Sequence, residues 1–376
     1  MMASMKMPHT VYCGENAVEK LAELLQGRQK VVVFTDKGVQ GSGTLDLLLQ
    51  ILRDAALEME IFNDLPSEPT CDQAQEVADR FRASGADCIV AVGGGSVMDA
   101  AKLASLVTPD CTVRELLENP ARGEKWVYTV MIPTTAGTGA EATPNSIVAV
   151  PEKQLKVGIV NESMIADAVL LDGRMIRNLP KSIAASTGVD ALCHAIECYT
   201  SKKANAFSNL FAGEALKLIF KNLVQACEDK DAVEAKNEML LAAFYAGVAI
   251  TSSGTTAVHA LSYPLGGKYH IPHGVSNGML LMPVMRYNRD ACHAQLLEVA
   301  GMLGHPDEAD WVLDRMQAML QRLEIPTKLT DFGVGKEDLD ELVESGMAVQ
   351  RLLVNNRREV TAADARTLYL EIMEDE

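Results

Sequence analysis

The segment Ile89-Val90-Ala91-Val92-Gly93-Gly94-Gly95-Ser96 places a short apolar run directly before three glycines, and the helical pattern 97–106 follows it. An apolar, β-branched run of this length is typical of a buried strand. Glycines between a strand and a helix let the backbone come close to a phosphate group, and the start of the helix offers unpaired N–H groups. The spacing is not Gly-x-Gly-x-x-Gly, and such a turn by itself is more often only a tight turn.

Strand and helix patterns alternate on both sides of this segment. Strands are predicted at 30–35, 58–62, 87–92 and 126–132, helices at 17–26, 45–57 and 71–84, and a hairpin at 146–159. Because alternating strands and helices form βαβ units, the pattern predicts a largely parallel sheet.

From about Lys181 the periodicity is helical, with predicted helices at 184–199, 206–227, 231–249, 307–323 and 336–354. The sequence therefore predicts an α/β domain over residues 1–180 and an all-helical domain over residues 181–376. A chain of 376 residues is long enough for two domains that each bury a full core.

Composition limits the function classes. The net charge of −17 argues against nucleic acid or an anionic membrane as the main partner, since both need concentrated Lys and Arg. No apolar run is long enough to span a membrane, and no signal-peptide pattern is expected in residues 1–15. The eight cysteines are scattered through apolar stretches, which favours reduced thiols in a cytoplasmic protein.

Four side chains of the helical half form a candidate metal site. Asp190 and His194 are four residues apart and therefore share one face of a predicted helix, while His259 and His273 come from two later segments. Imidazole and carboxylate together suit Fe²⁺ or Zn²⁺. Taken singly, each residue has an ordinary alternative: a surface pair, a core histidine or a turn residue.

A second polar loop supports the phosphate-binding interpretation of the glycine turn. The stretch 133–141, Pro-Thr-Thr-Ala-Gly-Thr-Gly-Ala-Glu, follows a predicted strand and is rich in hydroxyls and glycines that suit a pyrophosphate. Asp36 follows the strand predicted at 30–35, where its carboxylate would accept hydrogen bonds from a ribose and repel a 2′-phosphate, favouring NAD over NADP. A helix N-cap or turn is the alternative role for Asp36.

Together these stretches resemble the iron-containing (group III) alcohol dehydrogenase family over essentially the whole chain. Six ordered motifs carry the resemblance: Gly93-Gly94-Gly95-Ser96-x-x-Asp99-x-x-Lys102, the Pro133–Gly139 loop, Gly188-Val-Asp-Ala-Leu-x-His-Ala-Ile-Glu197, His259…Tyr263-Pro-Leu-Gly266, Ile271-Pro-His-Gly274 and Asn355-Asn-Arg-Arg-Glu-Val-Thr361.

The resemblance implies the dehydroquinate synthase-like fold of this family, in which an α/β nucleotide-binding domain with a parallel sheet is joined to an all-α domain and a cleft between them holds metal and nicotinamide. It assigns the metal, Fe²⁺ or Zn²⁺, to Asp190, His194, His259 and His273. It assigns nucleotide contacts to Asp36, Gly94, Gly95, Ser96, Asp99, Thr134, Thr135, Thr138, Asn145, Lys156 and Leu179.

The implied activity is that of an NAD(H)-linked alcohol dehydrogenase or aldehyde reductase. Hydride would pass between a primary alcohol, or another small hydroxy compound, and the nicotinamide, with the metal acting as a Lewis acid at the substrate oxygen. The resemblance also implies a homodimer or a higher homo-oligomer.

Two positions depart from the family pattern. Tyr263 stands where many members carry a second histidine, so proton handling falls to Tyr263 or to His270. Glu68 stands where the family usually has Asn.

Three alternatives stay open. The first is another dehydrogenase or reductase with the same fold: a glycerol dehydrogenase, a hydroxy-acid dehydrogenase or a maleylacetate reductase. The second is a 3-dehydroquinate synthase, which shares the architecture. The Asp-x-x-x-His pair with two further histidines favours the four-ligand alcohol dehydrogenases. A catalytically silent NAD- and metal-binding scaffold is a more remote alternative.

Overall fold

A computed structural model describes residues 3–66, 69–150 and 155–373. Its main sheet has six parallel strands in the order β1-β8-β5-β4-β2-β3. These strands are β1 (Thr10–Cys13), β2 (Lys30–Phe34), β3 (Glu58–Phe62), β4 (Cys88–Gly93), β5 (Tyr128–Pro133) and β8 (Ala168–Leu171). Strands β6 (Asn145–Val150) and β7 (Leu155–Val160) form a separate antiparallel hairpin. The parallel sheet predicted from the sequence is confirmed.

The helices of the α/β part are α1 (Leu21–Leu24), α2 (Lys37–Gly41), α3 (Asp46–Asp54), α4 (Cys71–Ser84), α5 (Gly95–Ala104) and α6 (Val113–Glu118). Later helices are α7 (Lys181–Thr200), α8 (Ala206–Glu228), α9 (Val233–Ser253), α10 (Ala257–Tyr269), α11 (His273–Asn288), α12 (His293–Met302), α13 (Ala309–Arg322), α14 (Leu339–Ala348), α15 (Gln350–Leu353) and α16 (Ala362–Glu371). No strand follows Leu171 in the part of the chain that the structure describes.

The burial of the central strand β4 shows that the sheet is covered on both faces. All six of its residues are buried, and its glycine end leads directly into α5. Strands buried on both faces read as continuous apolar runs rather than alternating ones. Helix α4, which precedes β4, begins with a capping box between Thr70 and Gln73 and ends at Gly85 in the left-handed region, with φ of 70°.

Several elements differ from the prediction. The edge strand β1 and the strand β8 were not predicted, because each has only four residues and little periodicity. The predicted helix 17–26 is a 3₁₀ turn, Ala17–Lys20, followed by the single turn α1. The predicted helix 336–354 is broken at Val349, whose ψ of 48° is not helical, so that α14 and α15 are separate.

The chain divides into two compact units. The α/β unit comprises Lys6–Leu179 together with Asp229–Gly247, and the helical unit comprises 180–228 and 248–373 with residues 3–5. The prediction assigned 229–247 to the helical half, but glycines let this stretch pack on loops of the α/β unit. Gly173 N donates to Asn237 Oδ1 at 2.5 Å, and a Cβ on Gly139 would lie 2.7 Å from Gly247 Cα.

No single helix among those described is long and apolar enough to cross a membrane, although α9 and α10 pass that test as a bent pair by length and composition. All eight cysteines lie in the described part of the chain as thiols outside any disulfide, and six of them are buried.

Candidate functional site

The four side chains of the candidate metal site converge in the helical unit. Each of Asp190, His194, His259 and His273 offers one ligand atom, and these atoms all lie within 4.8 Å of one another. Asp190 and His194 are one turn apart on α7, His259 lies in the first turn of α10, and His273 is the first residue of α11. Three helices therefore meet at one point.

The Asp190 carboxylate lies at the centre of this cluster. Its Oδ1 atom lies 3.9 Å from His194 Nε2, 3.6 Å from His259 Nε2 and 3.7 Å from His273 Nε2. The His194 and His259 rings stack with centroids 4.4 Å apart. Asp190, His194 and His259 are buried, whereas the His273 side chain is 37% exposed, so the cluster is open to solvent beside His273.

A close approach of α7 and α11 brings His273 to this point. Gly274 lies against the backbone of Ser186, and a Cβ at that position would overlap the Ser186 carbonyl group. Pro272 precedes α11 with extended ψ of 137°, which starts the helix at His273. The Pro-His-Gly sequence thus sets both where the helix begins and how near it comes to α7.

The charges of the cluster are strongly coupled. Burial would raise the pKa of Asp190, but the three histidines hold that pKa well below its usual range. Burial lowers the pKa of His194 to about 4. Burial acts in the same direction on His259, but the Glu197 and Asp190 carboxylates outweigh it and raise the pKa of His259 to about 9.

Asn277, which the sequence analysis did not single out, faces three of the four side chains. Its Nδ2 atom lies 2.7 Å from Asp190 Oδ1, 3.1 Å from His259 Nε2 and 3.2 Å from His273 Nε2. An amide NH₂ group has two hydrogens and cannot donate to all three of these atoms at once. The buried Oδ1 of Asn277 has no hydrogen-bond partner among the described residues. Imidazole nitrogens and a carboxylate oxygen that converge in this way fit a divalent cation.

Glu197 is a second functional candidate, which the sequence did not indicate although this residue ends the motif Gly188–Glu197. Its carboxylate is fully buried and pairs with His259 Nδ1. Burial would raise the pKa of Glu197, but the adjacent His259 holds that pKa below its usual range. The spacing of His194 and Glu197 on one helix was the available signal.

The α/β unit brings the two predicted phosphate-binding loops together. Gly94 is the N-cap of α5, and the loop that follows β5 packs against it. A Cβ on Gly94 would lie 3.5 Å from Thr135 Oγ1, and one on Gly95 would lie 3.1 Å from Thr138 Cγ2. Because Gly94 and Gly95 have no side chains, the backbone amides at the start of α5 stay accessible beside the two threonines. This arrangement suits a phosphate group.

Asp36 lines a cavity of about 530 Å³ beside this turn, together with Lys37, Gly38, Asn63, Asp64, Leu65, Pro66, Gly94, Gly95, Ser96 and Val97. The Oδ1 atom of Asp36 accepts from Val39 N at 2.8 Å, so the residue is the N-cap of α2. Its other oxygen has no partner among the described residues. The N-cap alternative is therefore correct, and it leaves one carboxylate oxygen available to a ligand.

Asp99 has a structural partner. This partly buried carboxylate lies 3.5 Å from Lys102 Nζ and accepts from Ile147 N at 3.0 Å. Lys102 is fully buried and also donates to Thr143 Oγ1 at 3.1 Å and to Asn145 O at 2.7 Å. Burial raises the pKa of Asp99 and lowers that of Lys102. The pair thus fixes the start of β6 to α5, and the predicted nucleotide contacts of Asp99 and Asn145 stay predictions.

Comparison with known proteins identifies the family. The model of iron-containing alcohol dehydrogenases matches residues 8–173, and that of the C-terminal part of the Fe-containing alcohol dehydrogenase family matches residues 184–373. The chain belongs to the iron-containing alcohol dehydrogenase family.

Several similar proteins are named for different substrates. Lactaldehyde reductase of Escherichia coli (strain K12) is 32% identical over 97% of this chain and 98% of its own length. Long-chain-alcohol dehydrogenase 1 of Geobacillus thermodenitrificans (strain NG80-2) is 30% identical over 98% and 96%. The solved structure of sulfoacetaldehyde reductase from Bifidobacterium kashiwanohense in complex with NAD⁺ matches with a TM-score of 0.91 and 29% identity, covering 100% of both chains.

Tyr263 and His270, the two candidates for proton handling, lie at different distances from the four side chains of the candidate metal site. The Tyr263 ring lies 6.1 Å from the His273 ring, and its hydroxyl accepts from Arg351 Nη2 at 3.3 Å. His270 is exposed at the left-handed C-cap of α10, with φ of 55°, and none of its described contacts reaches the cluster. Tyr263 is therefore the nearer of the two candidates for proton handling.

The remaining predicted nucleotide contacts have the following positions. Thr134 is buried, and its N–H donates to Gly93 O at 3.0 Å. Leu179 is half-buried after a 3₁₀ turn. Lys156 belongs to β7 by its backbone, but its side chain lies outside the described residues, as does Glu68.

Proposed function

We propose that this protein is an NAD(H)-dependent alcohol dehydrogenase or aldehyde reductase that requires one divalent metal ion, Fe²⁺ or Zn²⁺. The observation that carries the proposal is the convergence of Asp190, His194, His259 and His273 within 4.8 Å. When bound, such an ion supplies Lewis-acid polarisation of the substrate oxygen. Family membership and the sulfoacetaldehyde reductase structure with NAD⁺ support the same chemistry.

The chain's own residues would divide the work as follows. Asp190 and the three histidines hold the cation, since four neutral or anionic donors replace its water shell without needing thiolate. The amides at Gly94–Ser96 and the hydroxyls of Thr135 and Thr138 hold the pyrophosphate of the nucleotide. The uncommitted oxygen of Asp36 accepts from a ribose hydroxyl and selects NAD.

Tyr263 is the proposed proton-handling residue. Burial raises the pKa of Tyr263, against the opposing effect of the Arg351 guanidinium. Its hydroxyl therefore stays protonated near neutral pH and can donate a proton toward the region beside His273. His270 is the second candidate for this role.

We further propose that the protein is cytoplasmic and assembles as a homodimer or higher homo-oligomer. Eight cysteines outside any disulfide, six of them buried, fit a reducing compartment. The partner molecule would be a small alcohol or aldehyde, and the relatives' names extend from lactaldehyde to long-chain alcohols.

The experiment is a steady-state assay of protein reconstituted anaerobically with Fe²⁺ or Zn²⁺, following NADH oxidation with aliphatic, hydroxylated and anionic aldehydes. The proposal expects metal-dependent NADH oxidation with at least one aldehyde and NAD⁺ reduction with the matching alcohol. Absence of turnover with every aldehyde at full metal occupancy would favour the silent scaffold instead.

A further inference from the structure

Glu197 lies in an unusual position for a carboxylate, fully buried in the middle of the helical unit. It follows His194 by three residues on α7, so the two side chains lie on the same helix face. A buried carboxylate is costly unless hydrogen bonds and a positive partner satisfy its oxygens. The contacts of both oxygens therefore show what the residue does.

The first oxygen fixes the start of α10. Oε1 accepts from Thr256 N at 3.0 Å, from Thr256 Oγ1 at 2.6 Å and from Val258 N at 2.8 Å. Thr256 is the N-cap of α10, and its own side chain does not cap the helix. The Glu197 carboxylate thus provides from α7 the capping acceptor that α10 lacks, and it complements the positive end of the helix dipole.

The second oxygen fixes the His259 ring. Oε2 pairs with His259 Nδ1. An ionised carboxylate only accepts hydrogen bonds, so Nδ1 must carry a proton, and metal coordination falls to Nε2. The Nε2 atom is the one that faces Asp190 Oδ1, at 3.6 Å. One side chain therefore sets the position, the rotation and the coordinating nitrogen of His259.

We infer that Glu197 is a positioning residue of the metal centre, which orients His259 through Nδ1 and anchors the first turn of α10. This inference rests on the metal site of the proposed function. A divalent ion held by Asp190 and three neutral histidines would leave one unbalanced positive charge, and the Glu197 carboxylate would make the group of five side chains and cation neutral. Carboxylate partners of metal-bound histidines also increase the basicity of the ligand.

The test is Co²⁺ binding to the metal-free protein, measured by competition with a chromophoric chelator and by the visible absorption spectrum of the bound Co²⁺. In Glu197→Gln the amide oxygen can still accept from Thr256 and Val258. Its NH₂ group, however, would face Nδ1 and require it to act as an acceptor, which places the proton on Nε2. We expect about 10- to 100-fold weaker Co²⁺ binding and a changed spectrum.

Two comparison variants separate orientation from general damage. Glu298→Gln makes the same chemical change at an exposed carboxylate whose described partner is the Tyr199 hydroxyl, at 3.0 Å. It should bind Co²⁺ with the wild-type affinity and spectrum. Glu197→Asp keeps the charge on a shorter side chain and should bind Co²⁺ with intermediate affinity.

The outcomes are distinct. Wild-type affinity and spectrum in Glu197→Gln would overturn the inference about Glu197 and leave the proposed function standing. Failure of the wild-type protein to bind Co²⁺ would overturn both. If Glu197→Gln does not fold, Glu197→Asp decides: a several-fold weaker affinity with a changed spectrum supports the inference, and unchanged binding overturns it.

Discussion

Asp36 combines two roles in a single carboxylate, because one oxygen caps α2 and the other faces a cavity. Replacing Asp36 with Gly removes the negative charge that would repel a 2′-phosphate. We expect the ratio of kcat/KM for NADP to that for NAD to rise by about tenfold or more, which corresponds to about 1.4 kcal/mol.

The comparison requires a variant that keeps the cap. Asp36→Asn can still accept from Val39 N but carries no charge, and it should shift the ratio in the same direction with little loss of stability. An unchanged cofactor ratio in both variants would remove Asp36 from the nucleotide site.

His259 makes the metal affinity depend on pH. With Glu197 and Asp190 raising its pKa to about 9, against the effect of burial, His259 is protonated in the metal-free protein at neutral pH. A cation must displace that proton, so the apparent affinity should fall by roughly tenfold for each pH unit below about 9 while one proton is released.

Calorimetric titrations in two buffers of different ionisation enthalpy measure this proton directly. Release of about one proton at pH 7 is expected, and it comes from His259. The His194 ring adds none, because burial lowers its pKa to about 4 and the ring is already neutral at pH 7. A metal affinity that does not change between pH 6 and pH 8 would contradict this assignment.

Among the secondary-structure elements, the crossing of α7 and α11 determines whether His273 reaches the other ligands. Gly274→Ala would place a methyl group into the Ser186 carbonyl. We expect α11 to shift, with loss of stability of about 1–3 kcal/mol, and metal binding to weaken more than nucleotide binding.

Gly267→Ala is the matched substitution. A Cβ at Gly267, which lies in α10, meets nothing within 4 Å and replaces a helical glycine, so it should be neutral or slightly stabilising. Chemical denaturation and Co²⁺ binding of both variants provide the measurement. Equal behaviour of the two would show that the close approach is not needed.

The long elements could be predicted from the sequence because their patterns are local. The apolar run 89–92 identified β4, and the spacing of Asp190 and His194 identified one face of α7. The short strand β1 is stabilised mainly by pairing with β8, a contact across more than 150 residues that no local pattern reveals. Helices α10 and α11 were missed because Gly and Pro residues interrupt their periodicity.

The candidate site was predictable in its ligand set and not in its supporting contacts. Four residues of suitable type at family-like spacing indicated the metal cluster. Nothing in the sequence showed that Glu197 caps α10 or that the Asn277 amide faces three of the ligands, since both contacts join different helices. The nucleotide contact of Asp99 stays a prediction, and its contact with Ile147 N could not be read from the sequence because it joins α5 to β6.

For the chain as a whole, metal binding should stabilise the helical unit, which contains all four ligands. A cation present at 100 times its Kd contributes about 2.7 kcal/mol to the free energy of unfolding. We expect the Tm of that unit to rise by several degrees on adding Zn²⁺ to metal-free protein, as measured by differential scanning calorimetry. A Tm that does not change on adding Zn²⁺ would argue against a metal site in the folded protein.

The most direct measurement is an anaerobic titration of metal-free protein with Fe²⁺ or Zn²⁺, following NADH oxidation at a saturating aldehyde concentration. Activity should rise linearly with added metal and should stop increasing at one equivalent of metal per chain. His259→Ala and His273→Ala should stay folded but lose at least about 10³-fold in turnover, since Lewis-acid stabilisation is worth several kcal/mol. Turnover that is independent of added metal, or that survives either substitution after chelation, would contradict the account.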